Sequence, residues 1–367
     1  MTIHGFTELQ NKYFPNCIEY IPLQFFRGTR IAIDMGMLMH VMFKLVSYRI
    51  IESTKVRFEE VDKSKIYSWA LGLIINKLKV FLQYGITPVC CFDSKPHDLK
   101  IATASQRREA ERKRKEAKSS QAIEVEIDLA TLKQMLVNSD PLLGDKNLEE
   151  LYRDALKKSI HLDHEFVSAL EEILDAMSIP KIHGKDSGLA SNDAEAVGAM
   201  LCVSGNNICA AIYSEDSDCS VFGSPLTILD IEEKRVTIDG QKVDTHVVKV
   251  RNLYKILNEI QLPYQSFVDL CILMGTDFNL NGKMCGPANS YKYIKQHGCL
   301  ENVAKVLDLT HINVTEVRRI FFSPLTTRLP QLNLNFDLAK CRTSITPIFT
   351  KHAIEKYIPA YLAILNN

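Results

Sequence analysis

The chain carries no surplus of charge of either sign. Lysine plus arginine and aspartate plus glutamate each number 44 among 367 residues. Overall charge therefore selects no partner, and any charged partner must be read from where the charges sit. Paired C-x-x-C motifs are missing, although there are ten cysteines, which excludes the usual zinc-ribbon spacing. Cys90 and Cys91 are adjacent in an apolar run; on a strand they point to opposite faces and make poor disulfide partners. The thiols read as reduced core residues of a soluble intracellular protein. No run of ~18 apolar residues is free of charge, so no membrane-spanning helix is expected. The opening Met1-Thr2-Ile3-His4-Gly5-Phe6 lacks the basic-then-apolar order of a signal peptide. Also absent are G-x-S-x-G, the Walker A pattern and a G-x-G-x-x-G after a strand, which argues against an α/β-hydrolase or a nucleotide-binding enzyme.

What is present is a series of short apolar runs that end in acids. Arg30 to Asp34 reads Arg-Ile-Ala-Ile-Asp, and Thr87 to Asp93 reads Thr-Pro-Val-Cys-Cys-Phe-Asp. Ile208 to Tyr213 is followed by Ser214-Glu215-Asp216-Ser217-Asp218, and Leu226 to Ile231 is a fourth run. Helical patterns lie between them, at Ile66 to Tyr84 and Ala194 to Cys202. Unalternating strands separated by helices predict an α/β fold with a mostly parallel central sheet flanked by helices. Ligands in such sheets bind at the carboxyl ends of strands, so acids at three strand ends suggest one shared site. Taken singly, each acid is explained better as turn or N-cap chemistry.

Lys100 to about Lys118 is almost devoid of apolar residues and holds Arg107, Arg112, Lys113, Arg114 and Lys115. A helix is plausible there, but not a buried one. Residues 119 to 180 alternate amphipathic helical stretches with breaks near Pro141 and Gly144, and read as a helical cap or arch. Asp239-Gly240 between β-branched residues is a hairpin signal. From Val247 onward the pattern is mainly helical.

Five segments carry the chemistry: Ile33-Asp34; Phe92-Asp93-Ser94-Lys95-Pro96; Asn192-Asp193-Ala194-Glu195-Ala196; Ser214 to Pro225; and Phe267 to Asp277, which ends Leu-Met-Gly-Thr-Asp. In this order and spacing they resemble the flap endonuclease (XPG/RAD2-type) family of structure-specific 5′ nucleases, from Gly5 to about residue 300. The resemblance implies a PIN-like nuclease fold with a cap and a C-terminal helix–two-turn–helix. It divides the chain into an N-terminal nuclease region (1–106), a helical cap (107–180), an internal nuclease region (181–246) and a C-terminal DNA-binding region (247–367). It places Asp34, Asp93, Asp193, Glu195, Asp216, Asp218 and Asp277 at the seven metal-site acids. Hard oxygen ligands suit two Mg²⁺ ions, with Mn²⁺ able to substitute. It sets Lys100 and Arg107 against the scissile phosphate, and His40 where an aromatic residue stacks on a base, although a satisfied, partly buried histidine fits that position too. Arg112, Lys113, Arg114 and Lys115 become general phosphate contacts. Gly286 and Pro287 fall on the element that grips duplex backbone, often with K⁺.

The sequence also departs from that pattern. Met284 stands where a glycine is expected, Ala288 and Asn289 replace basic residues, Thr2 replaces a glycine, and Asp193 replaces a glutamate. No sliding-clamp-binding segment is recognisable, and the length resembles family members of large DNA viruses such as iridoviruses. The expected activity is Mg²⁺-dependent endonuclease and 5′ exonuclease action by a monomer on flapped or branched DNA. DNA replication, repair or recombination places it in the nucleus, or in the host nucleus if the protein is viral. Holliday-junction cleavage or ribonuclease action by the same acids, and a DNA-binding scaffold without catalysis, remain alternatives.

Overall fold

The computed structural model describes residues 3–118, 128–139, 146–203, 205–238, 241–328 and 337–365. Thr2 and Asp239-Gly240 lie outside them, as do the side chains of Arg114 and Lys115.

Seven strands form one sheet: β1 (Ile18–Pro22), β2 (Arg30–Asp34), β3 (Thr87–Phe92), β4 (Lys181–His183), β5 (Ala211–Tyr213), β6 (Leu226–Ile238) and β7 (Gln241–Asn252). Their order is β1-β7-β6-β5-β2-β3-β4. β4, β3, β2, β5 and β6 run parallel, while β7 pairs antiparallel with β6 and β1. In β2 and β3 every residue but the first is buried, as expected for parallel strands covered on both faces. The helix Ala194–Cys202 is almost wholly buried. Gly198 allows its close approach to the sheet, because a Cβ there would lie 2.2 Å from Ile212 Cδ1.

The fold class matches the sequence expectation, with local differences. β5 begins at Ala211, not Ile208, because the amides of Ile208 and Cys209 donate to Leu201 O and close the preceding helix. β6 and β7 form a long hairpin, so 247–252 is strand where a helical pattern was expected. β1 and β4 escape sequence reading: one is a five-residue edge with an intermediate-to-exposed burial pattern, the other is three residues long.

The chain gathers into two compact units. The first comprises Met1–Met37, Phe81–Arg112 and Ile179–Leu334, and the second Leu38–Val80, Lys113–Ser178 and Asn335–Asn367. The first contains the sheet. Its C-terminal helices are braced by buried Asp269, which accepts Arg318 Nε at 2.7 Å, Arg318 Nη2 at 2.6 Å and the Leu300 amide at 3.1 Å. The described part of the second unit is helical. Ile51, Val56, Leu132, Leu136, Leu148, Tyr152 and Leu156 form one of its cores. Asp128 and Asp163 cap two of its helices by accepting the amides of Thr131 and Phe166. No helix among the described residues is long and apolar enough to cross a membrane.

Candidate active site

The acids collect at the carboxyl ends of the parallel strands, within the first unit. Asp34 ends β2 and is buried. Its Oδ1 accepts the Met37 amide at 2.9 Å and its Oδ2 accepts the Ser214 hydroxyl at 2.8 Å. Asp93 follows β3, and its Oδ1 accepts the Ala194 amide at 2.8 Å. That amide belongs to the first turn of a helix, which favours a carboxylate. The next residue, Glu195, thereby faces the same acids.

After β5 the chain turns through Ser214, Glu215, Asp216 and Ser217 into a short helix at Asp218–Val221. Ser214 Oγ accepts the Asp216 amide at 3.1 Å while donating to Asp34. Asp216 Oδ1 accepts the Asp218 amide at 3.0 Å. One serine thus links two strand ends. Asp277 sits in a loop held by Thr276 and Asn279, with the Thr276 hydroxyl donating to Asn279 Oδ1 at 2.6 Å.

Two cations face these acids from the helix Asp98–Lys118. Lys100 and Arg107 are seven residues apart, two turns, and so share a face. Lys100 Nζ is 2.9 Å from Asp193 Oδ1 and 3.7 Å from Asp277 Oδ2. It also lies 5.9 Å from the centre of the Phe278 ring. Arg107 Nη1 is 3.5 Å from Asp277 Oδ1, and its Nη2 donates to Thr276 O at 2.6 Å. Asp193 is further fixed by the Ser191 hydroxyl, at 2.6 Å from its Oδ2.

The electrostatics are those of negative charge crowded into a dry place. Burial, then the charge of Asp93, pushes Asp34 up to about 7, against the pull of the Met37 amide and the Ser214 hydroxyl. Glu195 is raised well above the usual carboxylate range by burial and then by Asp34, Asp93 and Asp216. Asp218 is raised by burial, Asp216 and Asp277, and Asp277 chiefly by burial. Burial alone would lower Lys100, but Asp193, Glu195 and Asp277 outweigh it and raise its pKa. Crowding of this kind favours either protonation or a bound cation.

The donor set fits a hard divalent cation. All seven candidates are carboxylates, and Asp218 Oδ1 is a buried oxygen without a hydrogen-bond partner. Among the described residues, no group of three or more acidic, histidine or cysteine side chains closes tightly enough to hold an ion unaided. Mg²⁺ keeps several of its own waters, through which acids can hold it without direct ligation.

His40 is exposed on the helix Met35–Ser53, which removes its reading as a partly buried, satisfied histidine. Arg112 and Lys113 are exposed, and Arg112 pairs with Glu109 one turn back at 2.9 Å. Gly286 is the extended N-cap of the helix Pro287–His297. Met284 lies in the left-handed region at φ +59° and is 81% exposed. Sequence reasoning missed Ser191 and Gly36, and it did not single out Ser214 within its acidic motif. It also missed Arg251, a buried cation on β7 whose guanidinium donates to Asp216 O at 3.3 Å. Its stretch reads as helical in the sequence, so neither the strand nor the burial of this arginine is signalled.

The XPG N-terminal domain matches residues 1–115 and the XPG I-region matches residues 188–277, together more than half of the chain. Flap endonuclease 1 of Theileria parva is 26% identical over 88% of this chain and 57% of its own length. This chain therefore spans little more than half of that relative. Flap endonuclease 1-A of Oryza sativa subsp. japonica is 27% identical over 91% of this chain and 79% of its own. Among solved structures, flap endonuclease-1 from Methanococcus jannaschii shares the fold at a TM-score of 0.59 and 18% identity, covering 95% of this chain and 96% of that one. Both matched segments carry the acids of the sheet, and the chain belongs to the flap endonuclease/XPG family.

Proposed function

We propose that this protein is a structure-specific 5′ nuclease that hydrolyses phosphodiester bonds at 5′ flaps or branches in DNA, with 5′ exonuclease activity. The observation that carries the reading is the meeting of carboxylates from three parallel strand ends with Lys100 and Arg107 on one helix face. Asp34, Asp93, Asp193, Glu195, Asp216, Asp218 and Asp277 would hold two Mg²⁺ ions, some through water. Bound there, the ions supply an activated water and stabilise the leaving oxygen. Lys100 and Arg107 orient the phosphate, the first as a point charge and the second as a fork anchored on Thr276 O. His40 offers a ring for a base to stack on. Arg112 to Lys115 and the Gly286-Pro287 helix start bind backbone phosphates without reading sequence. The enzyme acts as a monomer in the nucleus, or in the host nucleus if a virus encodes it.

The test is cleavage of a 5′-labelled panel: a 5′ flap, a nicked duplex, a four-way junction, single-stranded DNA and RNA. Each is run with Mg²⁺ and with EDTA, beside Asp216→Asn. Mg²⁺-dependent cutting near the flap base, lost in the variant, is expected. Preference for the junction or RNA would reassign the substrate, and tight flap binding with no cutting of any substrate would make the protein a scaffold.

A further inference from the structure

Arg251 sits on β7 between Ile18 of β1 and Thr227 of β6, and is only 8% exposed. Buried arginines normally meet a carboxylate. Among the described residues Arg251 meets none within ion-pair range. Its Nη1 donates to the main-chain carbonyl of Asp216 at 3.3 Å, and its Nε donates to Gln10 Oε1 at 3.2 Å. The guanidinium carbon lies 5.0 Å from the centre of the Phe6 ring, in cation–π range. Arginine stays charged in such a place.

The contacts have a direction. Gln10 and Phe6 belong to the helix Phe6–Tyr13, and together with β7 they aim the fork at the turn carrying Asp216. That turn has no regular structure at its centre. Ser214 Oγ under the Asp216 amide, Asp216 Oδ1 on the Asp218 amide and Ser217 Oγ under the Ile3 amide at 3.2 Å also support it. The carbonyl of Asp216 is thus held from behind by a cation while its carboxylate faces the other acids.

We propose that Arg251 is a positioning residue of the active site, fixing the Asp216 turn from the sheet side so that Asp216 and Asp218 are preset for divalent metal. The proposal rests on the metal-dependent nuclease reading. Lys cannot replace the fork fully, because one ammonium cannot reach the Asp216 carbonyl and the Gln10 amide oxygen while also lying over the Phe6 ring.

The experiment compares the parent protein with Arg251→Met and Arg251→Lys. Mg²⁺ is titrated against melting temperature in the absence of DNA, and flap cleavage is measured separately. In Arg251→Met the Mg²⁺ midpoint of the melting shift rises and kcat falls, each by about 10- to 100-fold, the range for residues that orient metal ligands. KM for DNA stays close to the parent value, and Arg251→Lys recovers part of both losses. A lower melting temperature with the parent's Mg²⁺ midpoint would make Arg251 a packing residue only and overturn the proposal. A lower Mg²⁺ midpoint would overturn it too, since the charge would then be opposing the ions. If Arg251→Met does not fold, Gln10→Ala frees one arm of the fork and gives a smaller rise in midpoint; no rise counts against the proposal. A parent protein that binds Mg²⁺ but cuts nothing would fail the nuclease reading, while the midpoint comparison still judges Arg251.

Discussion

Gly36 and Asp93 meet where a side chain on the glycine would stand: a Cβ on Gly36 would lie 2.1 Å from Asp93 Oδ2 and 3.4 Å from Asp34 Oδ1. The space beside the two carboxylates is thus provided by a missing methyl. Gly36→Ala must move the Asp93 carboxylate, which also accepts the Ala194 amide. Alanine is the better helix residue by about 1 kcal/mol, so the fold is expected to survive. Displacing a reacting group by an ångström costs on the order of 10²-fold in rate. Cleavage of a 5′ flap should fall by about that factor while the melting temperature changes by no more than about 3 °C. Unchanged cleavage would show that Asp93 can move without consequence.

The raised acids make stability depend on pH in a stated direction. Asp34 titrates near 7 in the folded chain, held up first by burial, against an ordinary 3.8. A carboxyl whose folded pKa is raised favours the fold while protonated, so its contribution is full below about 4 and is lost as pH rises to about 7. In EDTA the melting temperature should therefore fall between pH 5 and pH 7.5. Mg²⁺ should reverse the fall, and its stabilising shift should be larger at pH 7.5 than at pH 5. A scan in which Mg²⁺ stabilises equally at both values would contradict the crowding of charge at Asp34 and Glu195.

The strands β2, β3 and β5 and their acids were legible because each is buried on both faces and leads within a few residues into a carboxylate. Ile31 to Ile33 and Val89 to Phe92 have no polar alternation to confuse the reading. The family resemblance set Lys100 against the scissile phosphate, but its pairing with Asp193, 93 residues away in sequence, was not read from it. Arg251, Ser191 and Gly36 were invisible for different reasons. Arg251 falls in a stretch whose pattern reads as helical, Ser191 looks like loop polarity, and Gly36 like a weak helix residue, until the neighbours are placed. The three-residue strand β4 is shorter than any periodicity can register.

Met284 occupies a left-handed backbone at φ +59° with its side chain in solvent. A side chain in that conformation costs roughly 1–2 kcal/mol, whereas glycine adopts it freely. The Met284 carbonyl accepts Asn289 Nδ2 at 2.9 Å, which helps to hold the turn in place. Met284→Gly should leave the turn intact, raise stability slightly and let duplex backbone approach the start of the Pro287–His297 helix. Fluorescence anisotropy on a plain duplex should show tighter binding, by about three- to tenfold, which corresponds to roughly 0.7–1.4 kcal/mol. Equal affinity would mean that this turn does not contact the duplex.

Lys100 holds two acids at once, and its charge also lowers the pKa of Glu195, Asp218 and Asp277. Lys100→Met keeps much of the side chain's length and apolar stem but removes that charge. Two effects should follow together. The phosphate loses a donor that acts as charge develops, so kcat should drop by about 10²- to 10³-fold. The three acids, no longer opposed by Lys100, should hold their protons to higher pH, so the acidic limb of the pH–rate profile should move upward. Arg107→Met should lower kcat with a smaller shift of that limb, because Arg107 touches only Asp277 among the acids and is anchored chiefly on Thr276 O. A loss of rate in Lys100→Met with an unmoved acidic limb would assign Lys100 to the phosphate alone and leave the protonation of the acids to metal binding.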